Sequence, residues 1–143
     1  MGRGRHTLLL AEAGFRTFGV DIELDAVKDA VARARADAFI VRAWCADLTQ
    51  IPLPRAVFDV VLVTRYLQRD LFPSIRDLVK TGGVVLYETF TVHQRRLGFG
   101  PTSPEHLLEP GELARHFEGF EVLFYEEALA PEAAARIVAR RRN

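Results

Sequence analysis

Short apolar segments alternate with segments of helical character along the whole chain. The segments expected to form strands are Arg16–Asp21, Phe39–Trp44, Phe58–Val63, Val84–Phe90 and Phe120–Tyr125. The segments expected to form helices are His6–Ala13, Leu24–Ala36, Leu71–Val79 and Glu112–Phe117. Strands that alternate with helices in this way predict an α/β domain with a doubly wound, mostly parallel sheet. With 143 residues, the chain fits one such domain over residues 1–143.

Two of these segments carry a clear apolar pattern. Leu24–Ala36 places its apolar residues on one helical face, at Leu24, Val27, Val31 and Ala34. The unbroken apolar run of Phe58–Val63 is typical of a parallel strand that is covered on both faces. Glycines mark the expected ends of two helices, because Gly14 follows the first helix and Gly82 and Gly83 follow the third.

Two further segments leave alternatives open. In Ala133–Arg140 the alanines favour a helix, whereas Ile137 and Val138 also suit a strand antiparallel to Phe120–Tyr125. The segment Thr91–Glu109 is long for a connection in a compact domain. We expect it to form either a lid beside the substrate or a mobile surface loop.

The charge and cysteine content exclude several classes of protein. Nineteen basic residues balance nineteen acidic ones, so no overall field draws the chain to nucleic acid or to an anionic membrane. No apolar run reaches membrane-spanning length. Cys45 is the single cysteine, which excludes an internal disulfide and leads us to expect a cytoplasmic protein. The spacing of the histidines and carboxylates predicts no metal site.

A glycine-containing loop stands directly before the first helix. Gly2 and Gly4 flank Arg3, and the second predicted element of the chain ends in Asp21. Glycines allow backbone N–H groups at a helix N-terminus to approach a ligand, and an acid at the end of the next strand can accept hydrogen bonds from ribose hydroxyls. The alternative for Asp21 is an N-cap of the following helix.

Further motifs follow in order: Cys45-Ala46-Asp47-Leu48, then Phe58-Asp59-Val60-Val61, then Gly82-Gly83-Val84-Val85-Leu86. With the glycine loop and Asp21, this order resembles the class I S-adenosylmethionine-dependent methyltransferases. The part of the chain from Tyr87-Glu88-Thr89-Phe90 to Tyr125-Glu126-Glu127 is similar to a narrower group, the tellurite-resistance-type small-molecule methyltransferases. The resemblance covers essentially the whole chain, and it favours a strand for the last segment.

The resemblance implies S-adenosylmethionine as the cofactor and assigns residues to it. The residues implied for cofactor binding are Gly2, Gly4, Asp21, Ile22, Asp47, Leu48 and Thr64. Of these, Gly2 and Gly4 would hold the methionine moiety, Asp21 the ribose, and Asp47 with Leu48 the adenine. Asp47 could instead organise the turn that follows it. The residues expected to contact the substrate are Arg65, Tyr66, Arg95 and Arg96, and no catalytic residue is assigned.

The same resemblance implies one more strand, in the centre of the sheet, than this sequence contains. That strand would lie between the one ending at Asp21 and Phe58–Val63, so we expect an interrupted, Rossmann-like sheet. The gap could be closed by direct pairing of its two neighbouring strands, by a strand from another chain, or by residues upstream of Met1. The second of these alternatives makes a homo-oligomer compatible with the sequence. We expect upstream residues, because the glycine loop is otherwise intact.

These observations predict transfer of a methyl group from S-adenosylmethionine to a small-molecule acceptor. A first alternative is an inactive or cofactor-binding remnant of a methyltransferase. A second is an NAD-dependent oxidoreductase, which shares the logic of the glycine loop but would need a third glycine where this chain has Thr7.

Overall fold

The computed structural model describes all residues from Met1 to Asn143. Its α-helices are α1 (Arg5–Glu12), α2 (Leu24–Ala36), α3 (Phe72–Leu78) and α4 (Glu112–His116). Its strands are β1 (Thr17–Asp21), β2 (Val41–Cys45), β3 (Phe58–Thr64), β4 (Val79–Phe90), β5 (Glu121–Ala128) and β6 (Ala134–Arg140). The order of elements confirms the predicted α/β class. Residue contacts divide the chain into two compact units, Met1–Pro52 and Leu53–Asn143, and a single domain over residues 1–143 stays a prediction.

The first unit consists of a parallel pair of strands with two helices. β1 and β2 pair in register from Thr17 opposite Val41 to Asp21 opposite Cys45. Gly14 follows α1 with a φ of 86°, a left-handed conformation that glycine adopts without strain. The glycine-terminated first helix is therefore confirmed.

Helix α2 has the predicted bounds, but its buried face is rotated from the predicted one. Val27, Ala30 and Ala34 are buried, whereas Leu24 is 51% exposed and Val31 is half-buried. The difference has a steric cause, because the small side chain of Ala30 allows the close approach of Gly4, the residue that precedes α1.

The second unit contains a four-stranded sheet in the order β3, β4, β6, β5. β3 and β4 are parallel, and β6 runs antiparallel between β4 and β5. The last segment is therefore a strand, as the resemblance implies. Ala135, Ile137 and Ala139 are buried at alternate positions along it, so packing in the sheet overrides the helical propensity of the alanines.

β3 is less covered than its sequence predicts. None of its residues is fully buried, and Asp59 is exposed. The cause lies in the strand order, since β4 is the single hydrogen-bonded neighbour of β3, just as β2 is that of β1. The interruption of the sheet that the resemblance implies is thus present in the strand order.

The two glycines expected to end the third helix lie inside a strand instead. α3 ends at Leu78, and β4 begins at Val79 and includes both Gly82 and Gly83. A Cβ at Gly83 would lie 2.8 Å from the carbonyl oxygen of Asp59. Gly83 therefore permits the close approach of β4 to β3, which explains why a glycine stands there.

An aromatic cluster forms the core of the second unit. The ring centroids of Phe72 and Tyr87 are 5.1 Å apart, those of Phe72 and Phe117 6.0 Å, and those of Phe117 and Phe120 5.7 Å. Offset and edge-to-face pairs at these separations add to the stabilisation from burial. The cluster fixes α3 and α4 against β4, the strand that carries the candidate cavity described below.

Candidate functional site

The predicted cofactor residues Asp21 and Ile22 lie at the end of β1, and Asp47 and Leu48 follow β2, so both pairs lie at the carboxyl end of the β1–β2 pair. Asp21 is the register partner of Cys45, and the N–H of Ala46 donates a 2.9 Å hydrogen bond to the carbonyl oxygen of Asp21. Asp47 follows directly on this turn. In open α/β sheets ligands bind outside the carboxyl ends of the strands, so this edge is the candidate cofactor site.

The carboxylate of Asp21 already holds the segment that precedes α1. Its Oδ2 atom accepts hydrogen bonds from the terminal amino group of Met1 at 2.9 Å and from the N–H of Gly2 at 2.6 Å. Its Oδ1 atom accepts one from the N–H of Glu23 at 3.1 Å. Burial alone would raise the pKa of Asp21, but these hydrogen bonds outweigh it, so the pKa is lowered and the group is an anion at neutral pH.

The two glycines of the loop have separate structural reasons. Gly4 has a φ of 86°, and a Cβ there would lie only 2.7 Å from the Cβ of Ala30. Gly4 therefore lets the loop cross α2 closely. Gly2 also has a positive φ, of 53°, but no atom would lie within 4 Å of its Cβ, and its N–H is bonded to Asp21. Assignment of these glycines to the methionine moiety stays a prediction.

Asp47 organises the turn that follows it, which is the alternative that the sequence left open. Its Oδ1 atom accepts hydrogen bonds from the N–H of Thr49 at 2.9 Å and from the Thr49 hydroxyl at 2.7 Å. These two bonds lower the pKa of Asp47. Its Oδ2 atom accepts no hydrogen bond from the chain, so it remains available to a ligand, and the role in adenine binding stays a prediction.

An exposed apolar side chain lies beside the carboxylates at this edge. Ile22 is 63% exposed directly beside Asp21, which is a large exposure for an isoleucine. The Sγ atom of Cys45 donates to the carbonyl oxygen of Ile22 at 3.2 Å and so ties the two strand ends together. Apolar surface next to carboxylates with spare lone pairs suits a flat base joined to a ribose.

The second unit carries a cavity of about 410 Å³. Its lining comes from the residues that follow β3, from the end of β4 and from the segment after it: Arg65, Tyr66, Leu67, Gln68, Thr89, Phe90, Pro101 and His106. Arg65 and Tyr66, two of the predicted substrate residues, are thus brought together in one wall. Thr64 precedes them as the last residue of β3, opposite Glu88.

The backbone of this wall is held in an uncommon conformation. Arg65 has a φ of 52°, in the left-handed region that residues other than glycine rarely occupy. Its N–H donates to the carbonyl oxygen of Glu88 at 2.8 Å. The buried hydroxyl of Tyr87 donates to the carbonyl oxygen of Tyr66 at 2.8 Å. Such residues persist where the surroundings over-determine them, and they cluster at functional sites.

Thr91–Glu109 borders this cavity through Pro101 and His106, but it is not a free loop. It contains short 3-10 helices at Val92–Leu97 and Pro104–His106. Gln94 is fully buried within it: its Nε2 donates to the carbonyl oxygen of Phe99, and its Oε1 accepts from the N–H of Ala133, both at 2.8 Å.

Arg95 and Arg96 lie on the first of these 3-10 helices and are exposed. The Nε of Arg95 donates to the carbonyl oxygen of Thr102 at 2.9 Å. Neither arginine is among the residues that line the cavity. The structure therefore does not bring them together with Arg65 and Tyr66, and their contact with a substrate stays a prediction.

An ion-pair network that the sequence did not reveal anchors the same segment. Arg69 donates to Glu112 through Nε at 2.6 Å and through Nη2 at 2.9 Å, and Nη2 also donates to the carbonyl oxygen of Leu107. Burial alone would raise the pKa of Glu112, but the hydrogen bonds from Arg69 and from the N–H of Glu109 lower it to about 2. The pair joins residues that are 43 positions apart in the chain, and no local pattern of the sequence encodes it.

The structure brings together no group of three or more histidine, cysteine, aspartate or glutamate side chains that could hold a metal ion. None of its helices combines the length and the apolar character that a membrane crossing requires.

Residues 1–83 match the sequence profile of the methyltransferase domain family, and this match spans more than half of the chain. The chain therefore belongs to the methyltransferase domain family, within the class I S-adenosylmethionine-dependent methyltransferases. One curated relative is the malonyl-[acyl-carrier protein] O-methyltransferase of Herminiimonas arsenicoxydans, which is 34% identical over 87 residues. That match covers 56% of this chain and 31% of the relative, so the chain spans about a third of the relative's length.

Solved structures support the same fold. TehB from Haemophilus influenzae superimposes with a TM-score of 0.83 at 15% identity, covering 99% of this chain and 55% of TehB. An S-adenosylmethionine-dependent methyltransferase from Mesorhizobium loti gives 0.77 at 19% identity, covering 98% and 87%. Geranyl diphosphate C-methyltransferase from Streptomyces coelicolor A3(2), solved with S-adenosyl-L-homocysteine, gives 0.73 at 16% identity, covering 98% and 69%. The cofactor of this class is S-adenosylmethionine.

Proposed function

We propose that this chain binds S-adenosylmethionine and transfers its methyl group to a small-molecule acceptor. The observation that carries the proposal is the cavity of about 410 Å³ at the carboxyl ends of β3 and β4. Its volume lies within the range of roughly 300 to 1,000 Å³ that small-molecule sites occupy. Its lining mixes aromatic rings with a few polar groups, which is the composition of such sites.

The candidate residues take separate roles in this proposal. Asp21 accepts hydrogen bonds from the ribose, and Ile22, Asp47 and Leu48 border the adenine. Gly2 and Gly4 belong to the methionine side, Thr64 lies on the methyl side, and Arg65 and Tyr66 contact the acceptor. The sulfonium supplies an already activated methyl donor. The chain then has to bind, orient and exclude water, and it needs no catalytic acid or base.

The proposal extends to Arg95 and Arg96 as further acceptor contacts, because guanidinium groups suit anionic oxygen. Replacing both arginines by alanine should raise the KM of the acceptor and leave cofactor affinity unchanged. An unchanged KM would remove them from the site. The proposal also includes a cytoplasmic location, which rests on Cys45 being the single cysteine.

A second candidate is an inactive remnant of a methyltransferase, which binds the cofactor more weakly and without turnover. The hydrogen bonds of Asp21 favour it, since Oδ2 is already engaged by Met1 and Gly2 and a ribose would share or displace these donors. An assay for S-adenosylhomocysteine production against a panel of small thiols, amines and carboxylates separates the two candidates. Formation of the product supports the enzyme, and binding without product supports the second candidate.

The binding test is a calorimetric titration of the chain with S-adenosylmethionine, S-adenosylhomocysteine and NAD. We expect saturable heats with the first two ligands and none with NAD. Binding of NAD alone would overturn the proposed function, because it would assign the glycine loop and Asp21 to a dinucleotide.

A further inference from the structure

We propose that the methyl acceptor carries a carboxylate on an organic body, and that Arg65 is the residue that selects it. This inference rests on the proposed function, because it names the class of acceptor that the cavity takes. Arg65 lines the cavity beside Tyr66, Phe90 and His106.

Two contacts fix the direction of the Arg65 guanidinium. Its Nη2 atom donates to both carboxylate oxygens of Glu132 at 2.9 Å. Its central carbon lies 5.6 Å from the ring centroid of Phe90, within the distance of a cation–π contact. An arginine held in this way loses little further conformational freedom when a ligand binds, so its remaining donors are preorganised.

Most of the hydrogen-bonding capacity of Arg65 is left over. A guanidinium has five N–H donors, and the hydrogen bonds that the Arg65 side chain makes within the chain all come from Nη2. The N–H groups on Nε and Nη1 make no hydrogen bond within the chain and can bind a ligand. The side chain is 52% exposed, so a ligand can reach them. Oxygen of a carboxylate is a partner that such donors bind strongly, through charge-assisted hydrogen bonds.

The other lining residues favour an organic carboxylate over an inorganic oxyanion. No acidic side chain lines the cavity, since Glu132 contacts Arg65 from outside the lining. Leu67, Pro101 and the rings of Tyr66 and Phe90 supply apolar surface on the remaining sides. A small fully hydrated ion makes no use of that surface, whereas a carboxylate on an apolar or aromatic body uses both parts of the cavity.

The test measures the binding of three probes by ligand-detected NMR in the presence of S-adenosylhomocysteine. The probes are benzoate, its neutral isostere benzamide, and inorganic sulfate. We expect benzoate to bind about 10-fold to 100-fold more tightly than benzamide, which is the range for one or two charge-assisted hydrogen bonds. We also expect sulfate to compete weakly with benzoate.

Three variants assign the preference to Arg65. Arg65→Met keeps the length of the side chain and should abolish the preference for benzoate, whereas Arg65→Lys keeps the charge and should retain part of it. Arg35→Met is the matched control, because Arg35 is an exposed arginine on α2 in the first unit, and it should bind the probes as the wild type does. Melting temperatures of all variants verify that they fold.

The outcomes of this test separate the inference from the proposed function. The carboxylate assignment is wrong if benzoate and benzamide bind equally or if neither binds. It is also wrong if sulfate binds as tightly as benzoate, or if Arg65→Met keeps the preference for benzoate. Heats of S-adenosylhomocysteine binding are measured on the same samples. If S-adenosylhomocysteine binds but the preference for benzoate is absent, only the carboxylate inference fails. If S-adenosylhomocysteine does not bind, the proposed function fails.

Discussion

The two units of the chain differ in how completely they bury their side chains. In the first unit, Met1–Pro52, the buried apolar residues are Val27, Ala30 and Ala34, whereas Ile22, Ile40 and other large apolar side chains are exposed. In the second unit, Leu53–Asn143, all of the largest fully buried side chains of the protein are found, including the rings of Phe72, Tyr87 and Phe117. The first unit is held by close backbone approaches and polar contacts, and the second by an apolar core.

This difference indicates how stability and function divide between the units. Burial of apolar surface is the main source of stability, so local opening should be easiest in the first unit. That unit carries the candidate cofactor edge at Asp21 and Asp47. A ligand that binds the ordered form there would stabilise it by mass action. The difference in stability between the units can therefore be tested by mutation and by cofactor binding.

Replacement of a leucine should have very different consequences in the core and on the surface. Leu113→Ala on α4 removes a side chain that is 0% exposed, and it should lower the free energy of unfolding by about 2 to 5 kcal/mol. Leu9→Ala on α1 is the matched control, because Leu9 is 61% exposed, and it should stay within about 0.5 kcal/mol of the wild type. Urea unfolding measures both, and similar losses would contradict the contrast in burial.

A smaller effect is expected where the first unit depends on a close approach. Gly4→Ala combines a left-handed backbone with a contact of 2.7 Å to the Cβ of Ala30, and we expect a loss of about 3 kcal/mol. Gly14→Ala shares the φ of 86° but meets no atom within 4 Å, so it should lose about 1 kcal/mol. Adding Ala30→Gly should recover part of the Gly4→Ala loss. Equal losses for the two single variants would show that α1 does not need close packing on α2.

The ion pair of the second unit predicts a stability that depends on pH. The pKa of Glu112 is about 2 in the folded chain against an ordinary 4.5. Because the folded pKa is lowered, its contribution is fully present above pH 4.5 and is lost as the pH falls from 4.5 to about 2. Glu112→Gln should therefore cost about 2 kcal/mol at pH 7, and this cost should decrease steadily as the pH falls from 4.5 towards 2.

Glu118→Gln is the control for this prediction, because Glu118 is an exposed glutamate of the same unit, and it should follow the wild-type pH profile. Chemical unfolding between pH 2.5 and 7 gives the comparison. A cost of Glu112→Gln that stays constant over this range would show that the carboxylate of Glu112 does not stabilise the fold through Arg69.

The sequence predicted those elements whose signals are local. The bounds of α2 and the strand nature of β1 to β5 followed from periodicity and turn residues, within two or three residues at most ends. The prediction that Gly82 and Gly83 end a helix was wrong, because glycine also occurs in strands where the backbones of two strands approach closely. The strand β6 required tertiary information, since its alanines favour a helix until β4 and β5 flank it.

Part of the candidate site could also be predicted from the sequence. Parallel strands bring their carboxyl ends together, so the meeting of Asp21 with the turn before Asp47 followed from the order of elements. The engagement of Asp21 by Met1 and Gly2 did not follow, because it depends on the conformation of the loop. The contact of Arg65 with Glu132 also joins residues far apart in the chain, and no local pattern encodes it.

Asp21→Ala tests whether the carboxyl end of the β1–β2 pair binds the cofactor, as we propose. Calorimetric titration with S-adenosylhomocysteine should give a dissociation constant at least about 10-fold higher for this variant than for the wild type, because a charge-assisted hydrogen bond to the ribose is lost. Asp25→Ala, an exposed aspartate on α2, should leave the constant unchanged. Urea unfolding of the same samples should show a smaller loss for Asp21→Ala, in kcal/mol, than the loss of binding. If Asp21→Ala binds S-adenosylhomocysteine as tightly as the wild type does, Asp21 serves only to hold the segment of Met1 and Gly2, and the cofactor assignment is wrong.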